Sequence, residues 1–178
     1  MIAGVIRAAR PADVPAITRI YAQVVKHGTA TFEIEPPSEA EMARRQRDLL
    51  ADGYPFLVAE VGDLVAGYAY AGSYRARPAY RWCIEDSIYL APQFRRQGLG
   101  AALLRRLVED AAARGFRQMV AVIGDSAQIP SIAVHARAGF THVGTLRSVG
   151  FKQGRWLDTV LMQRPLGGGD QTPPRSTR

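Results

Sequence analysis

The sequence predicts an α/β domain. Amphipathic helical patterns alternate with short apolar runs along most of the chain. An Arg- and Gly-rich turn joins one apolar run to the strongest helical pattern. At 178 residues and 47% hydrophobic content, the chain supplies one core with little left over.

Gly4 to Ala8 reads as a short first strand. Ile17, Ile20, Tyr21, Val24 and Val25 recur at three- and four-residue spacing and predict a helix over 13–26, with Asp13 as its N-cap. His27 to Pro37 is a loop, and Ser38 with Glu41 forms a capping-box pattern opening a helix over 39–50 that Gly53 closes. Phe56 to Val61 and Leu64 to Ala71 form a hairpin turning at Gly62-Asp63. An Arg-rich loop over 73–79 leads to a strand over 81–90 that stops at Ala91-Pro92. After the turn at 93–100, Leu103, Leu104, Leu107, Val108 and Ala111 make one stripe of a helix over 101–113, with Gly115 as C-cap. Gln118 to Ile123 is a buried-type strand and 130–138 a short helix ending at Gly139. Two closing strands follow, over 140–149 and 156–163, with 150–155 between them. From Leu166 onward Gly, Pro, Ser and Thr dominate, so the domain is assigned to 1–165 and a flexible tail to 166–178.

Composition excludes several classes. The net charge is +7, nearly all from Arg, with Lys only at 26 and 152. The arginines are scattered, and neither a basic helix nor an aromatic-interleaved platform accompanies them, which argues against nucleic acid and for a small phosphorylated ligand. No ligand set for a metal is visible. No run approaches the roughly 20 apolar residues that cross a bilayer, and Arg7 and Pro11 interrupt the N-terminus too early for a signal-peptide core. Cys83 is the single cysteine, so no intrachain disulfide can form. The expectation is a cytoplasmic protein with no membrane partner.

Arg95-Arg96-Gln97-Gly98-Leu99-Gly100, followed by Ala101, lies between a strand and a strong helix. The first amides of a helix have no intrahelical acceptor and carry the positive end of its dipole. Glycine lets the backbone approach an anion closely, and the two arginines add fixed charge. The result is a diphosphate cradle. No Gly-Lys-Ser or Gly-Lys-Thr follows, and the pattern is not G-x-G-x-x-G, so neither an ATPase loop nor a dinucleotide fingerprint is present.

This turn resembles the R/Q-x-x-G-x-G/A motif of the GCN5-related N-acetyltransferase (GNAT) superfamily. The chain is similar more narrowly to its phosphinothricin/methionine sulfoximine N-acetyltransferase branch. Phe32-Glu33-Ile34-Glu35-Pro36, Gly67 to Gly72, Tyr80 to Leu90, Val120 to Gly124, His135 to Phe140 and Gly150 to Asp158 carry that similarity, in family order. The resemblance implies a mixed central sheet splayed near its middle and flanked by helices, with acetyl-CoA as cosubstrate in the V. It implies that main-chain groups of Ile88, Tyr89 and Leu90 meet the thioester and pantetheine arm, the N–H of Leu90 or Tyr89 polarising the acetyl carbonyl. It places Asn where this chain has Gln128, whose extra methylene rearranges a pantetheine contact. It also implies a homodimer, with the Phe32 loop near the neighbouring site and Trp156 in the apolar interface.

Amine acetylation needs a neutral amine, so a base is useful. Glu85 is the candidate: it lies in an apolar strand, where partial burial raises a carboxyl pKa. The alternative is that Glu85 pairs with an arginine and only organises the site. Asp86 alternates to the other face if the strand is regular. The branch carries His or Tyr near the CoA sulfur at the position of His135, either a proton donor to the thiolate or a packed histidine, and Tyr89 is a second donor candidate. Cys83 has no His or Asp spaced to activate it and reads as a small buried hydrophobe. The branch places its acceptor pocket at Tyr74, Arg75, Arg77 and Tyr80. An arginine fork there suits a carboxylate, with Phe32 and Tyr80 walling the side chain; the alternative is a solvated basic loop. The activity implied is N-acetylation of a small amino-acid-like amine. The alternatives are a protein N-terminal acetyltransferase and a non-catalytic CoA-binding module.

Overall fold

The computed structural model describes residues 4–174. Met1 to Ala3, part of the N-terminus read against a signal peptide, and 175–178 of the segment read as a tail lie outside the described residues. The elements are β1 (Val5–Ala8), α1 (Val14–His27), α2 (Glu39–Ala51), β2 (Phe56–Val61), β3 (Leu64–Ser73), β4 (Cys83–Leu90), α3 (Leu99–Ala113), β5 (Gln118–Gly124), α4 (Ile129–Arg137), β6 (Thr141–Lys152) and β7 (Arg155–Pro165). The strands form one sheet in the order β1-β2-β3-β4-β5-β7-β6. Its neighbours are antiparallel except β4 and β5, which run parallel.

Alternation along the strands builds two cores. Leu57, Ala59, Ala69, Ala71, Ile84, Met119 and Ala121 face the α3 stripe of Leu103, Leu104, Leu107 and Ala111. The small alanines let α3 lie close, and each buried leucine stabilises the fold by roughly 1.5–3 kcal/mol. Phe56, Val58 and Tyr68 face the other way, toward Ile17, Tyr21 and Val25 of α1 and Met42 of α2. Ser38 caps α2 as the sequence suggested, its Oγ accepting from the Glu41 N–H at 3.2 Å. Asp13 does not cap α1 with its side chain. Its carboxylate instead accepts from the Arg10 N–H at 2.7 Å and from both terminal nitrogens of Arg7 at 2.8 Å, tying β1 to the turn before the helix.

The sheet splays at one place. β4 pairs with β5 only from Cys83↔Gln118 to Asp86↔Ala121. Beyond that rung Ser87 to Leu90 pair with β3 alone, and Val122 to Gly124 with β7 alone. The β3–β4 register runs unbroken from Gly67↔Leu90 to Ser73↔Ile84, so β4 carries no bulge. Glu85 and Asp86 therefore point to opposite faces, Asp86 with Ile84 toward α3 and Glu85 toward α1 and α2.

Two boundaries differ from the sequence reading. β6 and β7 are longer than expected and meet at a two-residue turn, Gln153 (φ +51°) and Gly154 (φ +73°). The stretch read as a connecting loop, 150–155, is mostly paired strand, and a bulge between Leu146 and Gly150, held by the Ser148 N–H on Asp158 Oδ1 at 3.0 Å, interrupts the run read as a regular strand. The segment read as a tail does not begin free either. Leu166 is 1% exposed in the α3-side core, and its N–H donates to the Arg117 carbonyl. Arg117 in turn donates to the carbonyls of Gly169 and Thr172 at 2.6 Å. The Gly- and Thr-rich composition hid this anchor because one buried leucine and carbonyl acceptors suffice for it.

Leu166→Ala is expected to lower the unfolding free energy by roughly 2–5 kcal/mol, the cost of an unfilled leucine-sized cavity. Urea titration checks this; a change under about 1 kcal/mol would show the segment to be loosely held.

Candidate active site

The splay creates an open main-chain edge. The Ala91 N–H donates to the Ala66 carbonyl at 2.9 Å, which fixes the parity of the ladder. Tyr89 and Ser87 share that parity and bond to β3. The N–H and C=O of Ile88 and Leu90 therefore point to the other edge, where β5 has already diverged. Of the two main-chain donors proposed from sequence, the amide that faces the opening is that of Leu90. Ala30, Asp86, Ser87, Ile88, Tyr89, Ala121, Val122, Ile123, Gln128, Ser131 and His135 line the resulting cleft.

One end of β4 leads into the Arg-Gly turn. Gly98 adopts φ +89°, and nothing lies within 4 Å of where a Cβ would stand. Arg96 is also left-handed at φ +60°. The first intrahelical bond of α3 runs from the Ala102 N–H to the Gly98 carbonyl, which leaves the amides of Leu99, Gly100 and Ala101 for an anion. Arg95 and Arg96 are exposed and form no ion pair among the described residues. Gln97 closes the turn, its Nε2 donating to the Gln93 carbonyl at 2.9 Å. An open edge of alternating donors and acceptors ending at a helix N-terminus with two free cations fits a pantetheine arm followed by a diphosphate.

Glu85 sits half-buried on the α1/α2 face of β4. Burial and the neighbouring Asp86 charge raise its pKa to about 7, against an opposing pull from Arg75. The same burial, with the Glu85 charge, pushes the Cys83 thiol up, away from the thiolate form. Asp86 and His135, by contrast, are paired across the vertex of the splay. His135 Nε2 lies 2.9 Å from Asp86 Oδ2, and Nδ1 lies 2.7 Å from the Ser131 carbonyl oxygen. Burial works against the imidazolium, but the Asp86 carboxylate outweighs it and the His135 pKa is raised. Both ring nitrogens are thus committed to acceptors. Tyr89 projects onto the opposite face and packs edge-on against Tyr21 at 5.0 Å. Burial holds its phenol well above the ordinary range.

The sequence-predicted acceptor residues divide into two groups. Tyr74 and Tyr80 meet edge-on at 5.8 Å, and the Arg75 guanidinium lies 5.2 Å from the Tyr74 ring centre. Arg75, Arg77 and Tyr80 are exposed on the loop after β3. Phe32 comes from the α1–α2 loop and packs against Gly124 of β5 and Gly150 of β6, where side chains would collide with its ring. A network absent from the sequence reading fixes that loop. Thr29 Oγ1 donates to Asp125 Oδ2 at 2.7 Å and accepts from Gln128 Nε2 at 3.1 Å. Arg155 closes on Asp125 at 2.6 Å, and the buried Lys152 ammonium donates to the Thr31 carbonyl at 2.8 Å. The extra methylene of Gln128 is what lets its amide reach across to Thr29. The parity of Asp86 was the only signal in the sequence for its pairing. For the Thr29 network there was none, because its members are 96 and 99 residues apart.

Among the described residues there is no cluster of three or more His, Cys, Asp or Glu able to hold a metal ion, and no helix long and apolar enough to cross a membrane. Gly98→Val forces a β-branched residue into φ +89°. It is expected to weaken coenzyme A binding at least tenfold by calorimetric titration, with about 1–3 kcal/mol of backbone strain; unchanged affinity would remove the turn from the cofactor site.

The Acetyltransferase (GNAT) domain family matches residues 6–161. The phosphinothricin N-acetyltransferase of Alcaligenes faecalis is 50% identical over 169 residues, covering 95% of this chain and 86% of that one. The L-methionine sulfoximine/L-methionine sulfone acetyltransferase of Salmonella typhimurium is 40% identical over 163 residues, covering 90% and 94%. The crystal structure of a phosphinothricin acetyltransferase from Sinorhizobium meliloti in complex with acetyl-CoA superposes with a TM-score of 0.95 at 50% identity, covering 98% of this chain and 94% of that one. With the split sheet, the left-handed turn and the open β4 edge all present, this chain belongs to the GNAT acetyltransferase family.

Proposed function

We propose that this protein transfers the acetyl group of acetyl-CoA to the α-amine of a small amino acid of the phosphinothricin or methionine sulfoximine type. The observation that carries this reading is Glu85. It is a half-buried carboxyl with a pKa of about 7, on the strand whose far edge opens into the cleft. The names of the relatives support the acceptor class, and the acetyl-CoA complex of the S. meliloti enzyme supports the cosubstrate.

Acetyl-CoA supplies an activated acetyl thioester. The amides of Leu99, Gly100 and Ala101, with Arg95 and Arg96, hold its diphosphate, while Gln97 and Gly98 shape the turn. Ile88 and Leu90 hold the pantetheine arm through their outward main-chain groups, and the Leu90 N–H stabilises charge developing on the carbonyl oxygen. Gln128 and His135 form the opposite wall. Arg75 and Arg77 bind the acceptor carboxylate, and Phe32, Tyr74 and Tyr80 enclose its side chain. Glu85 takes the ammonium proton, directly or through water, and leaves a free amine to attack. His135 can release a proton only by giving up a bond it already makes. The leaving thiolate's proton is assigned to Tyr89, whose phenol burial holds protonated and which regains its proton from the attacking nitrogen as the tetrahedral intermediate collapses. This reading takes the enzyme to be cytoplasmic, in the compartment that supplies acetyl-CoA.

The same reading takes the protein as a homodimer. Val143, Phe151 and Trp156 are 58%, 58% and 63% exposed on the β6–β7 hairpin, and Phe151 and Trp156 pack edge-on at 5.3 Å. Sedimentation of the wild type beside Trp156→Arg is expected to show a dimer and a monomer; a monomeric wild type would remove this part.

Turnover should be measured with free amino acids, including a sulfoximine and a phosphinic analogue, and with N-terminal peptides. Peptide-only activity would replace this reading, and tight coenzyme A binding without turnover would leave a non-catalytic module. Glu85→Gln is expected to lower kcat/KM roughly 10²–10⁴-fold. A base must be ionised, so wild-type kcat/KM should fall about tenfold per unit as pH drops below about 7. A flat profile between pH 5.5 and 8 would refute Glu85 as the base.

A further inference from the structure

The Asp86–His135 pair has properties that a surface contact lacks. The Asp86 side chain is 1% exposed and that of His135 6%. Among the described residues His135 is the only hydrogen-bond partner of the Asp86 carboxylate, and Oδ1 is buried without one. The imidazole cannot swing aside easily, because Phe140 packs edge-on against it at 5.1 Å and its Nδ1 is bonded to the helix carbonyl of Ser131. The Ser131 carbonyl can only accept, so Nδ1 carries hydrogen, and Nε2 shares a hydrogen with Asp86 Oδ2.

Its place in the fold gives it a task. Asp86↔Ala121 is the last rung joining β4 to β5. One arm of the V continues as Ser87 to Leu90. The other continues through Val122 to Gly124 into α4, which carries Ser131 and His135, with Gln128 at its N-cap. Past the last rung no backbone bond spans the two arms. Asp86 Oδ2 to His135 Nε2 is a cross-tie from the β4 arm to the α4 arm at the level where the backbone ladder stops. It lies on the α3/α4 face, while Glu85 and the acceptor loop lie on the other.

We infer that Asp86 is a positioning residue: through His135 it fixes α4 against β4 and so sets the width of the cleft that receives the acyl-CoA thioester. Asp86 lines the floor of that cleft with its side chain 1% exposed, so its effect is directed through His135 to the cofactor side. The inference rests on the acetyltransferase reading, since it names a determinant of that site.

Steady-state kinetics of the wild type, Asp86→Asn, His135→Gln and the double variant test it, with KM for acetyl-CoA and for the amine measured separately. Each single change is expected to raise the acetyl-CoA KM roughly tenfold or more, as misplacement of a bound group does. The amine KM should stay within about twofold, with kcat changing less than the acetyl-CoA KM. The double variant should be no worse than the poorer single, because the two residues act as one unit. A merely structural pair would lower the folded, active fraction, and so kcat, with the acetyl-CoA KM unchanged; that result overturns the proposal, as does additivity of the two singles or an equal rise in the amine KM. If the singles do not fold, the double variant, which leaves no unpaired buried charge, carries the test. An acetyl-CoA KM equal to the wild type's then overturns the proposal and a raised one supports it. Failure of the acetyltransferase reading is distinguishable, because the wild type would then show no turnover at all.

Discussion

The parting of β4 from β5 after the Asp86–Ala121 rung is the constraint on which the site depends. A sheet that stayed closed would satisfy the outward amides and carbonyls of Ile88 and Leu90 with strand β5. Because it opens, those groups are left for a ligand, and the cost of leaving backbone polar groups unpaired is met by the molecule that binds there. The Arg-Gly turn follows directly from β4, so the open edge and the helix N-terminus form one continuous track. The parallel pairing of β4 with β5 needs the α3 crossover, and that crossover places the helix amides at the end of the strand.

Glu85 and Asp86 show how adjacent carboxylates of one strand come to different uses. Strand alternation sends them to opposite faces. Glu85 finds partial burial and a distant arginine, so its proton is held to about neutral pH. Asp86 finds the His135 imidazole in a closed environment, where the two side chains are bonded at 2.9 Å. The Asp86 charge also contributes to the raised pKa of Glu85. The two faces of β4 thus share one electrostatic element while serving different sides of the reaction.

The acceptor side is assembled from parts distant in sequence. Phe32 is seated only because Gly124 and Gly150 leave room for its ring. Its loop is anchored by a threonine, an aspartate, an arginine and a lysine that converge from β5, the β6–β7 turn and the segment after α1. Asp125 is held at φ +69°, a left-handed conformation that aspartate tolerates and that aims its carboxylate at Thr29.

The residue pattern by itself determined the alternation of helices and strands, the capping of α2 by Ser38, the hairpin at Gly62 and the left-handed turn that opens α3. These are local: each is written in the spacing of apolar residues or in the stereochemistry of one or two positions. Resemblance to the GNAT family supplied the splay and the candidate residues, and parity along β4 was enough to separate Glu85 from Asp86. Only the tertiary structure decided which amide of β4 faces the opening, what His135 holds, how Phe32 is seated and where the chain after β7 is anchored. The reason is physical. Hydrogen-bond parity, buried ion pairs and ring-on-glycine contacts depend on residues that meet only after the sheet has formed, and no local preference of the chain records those meetings.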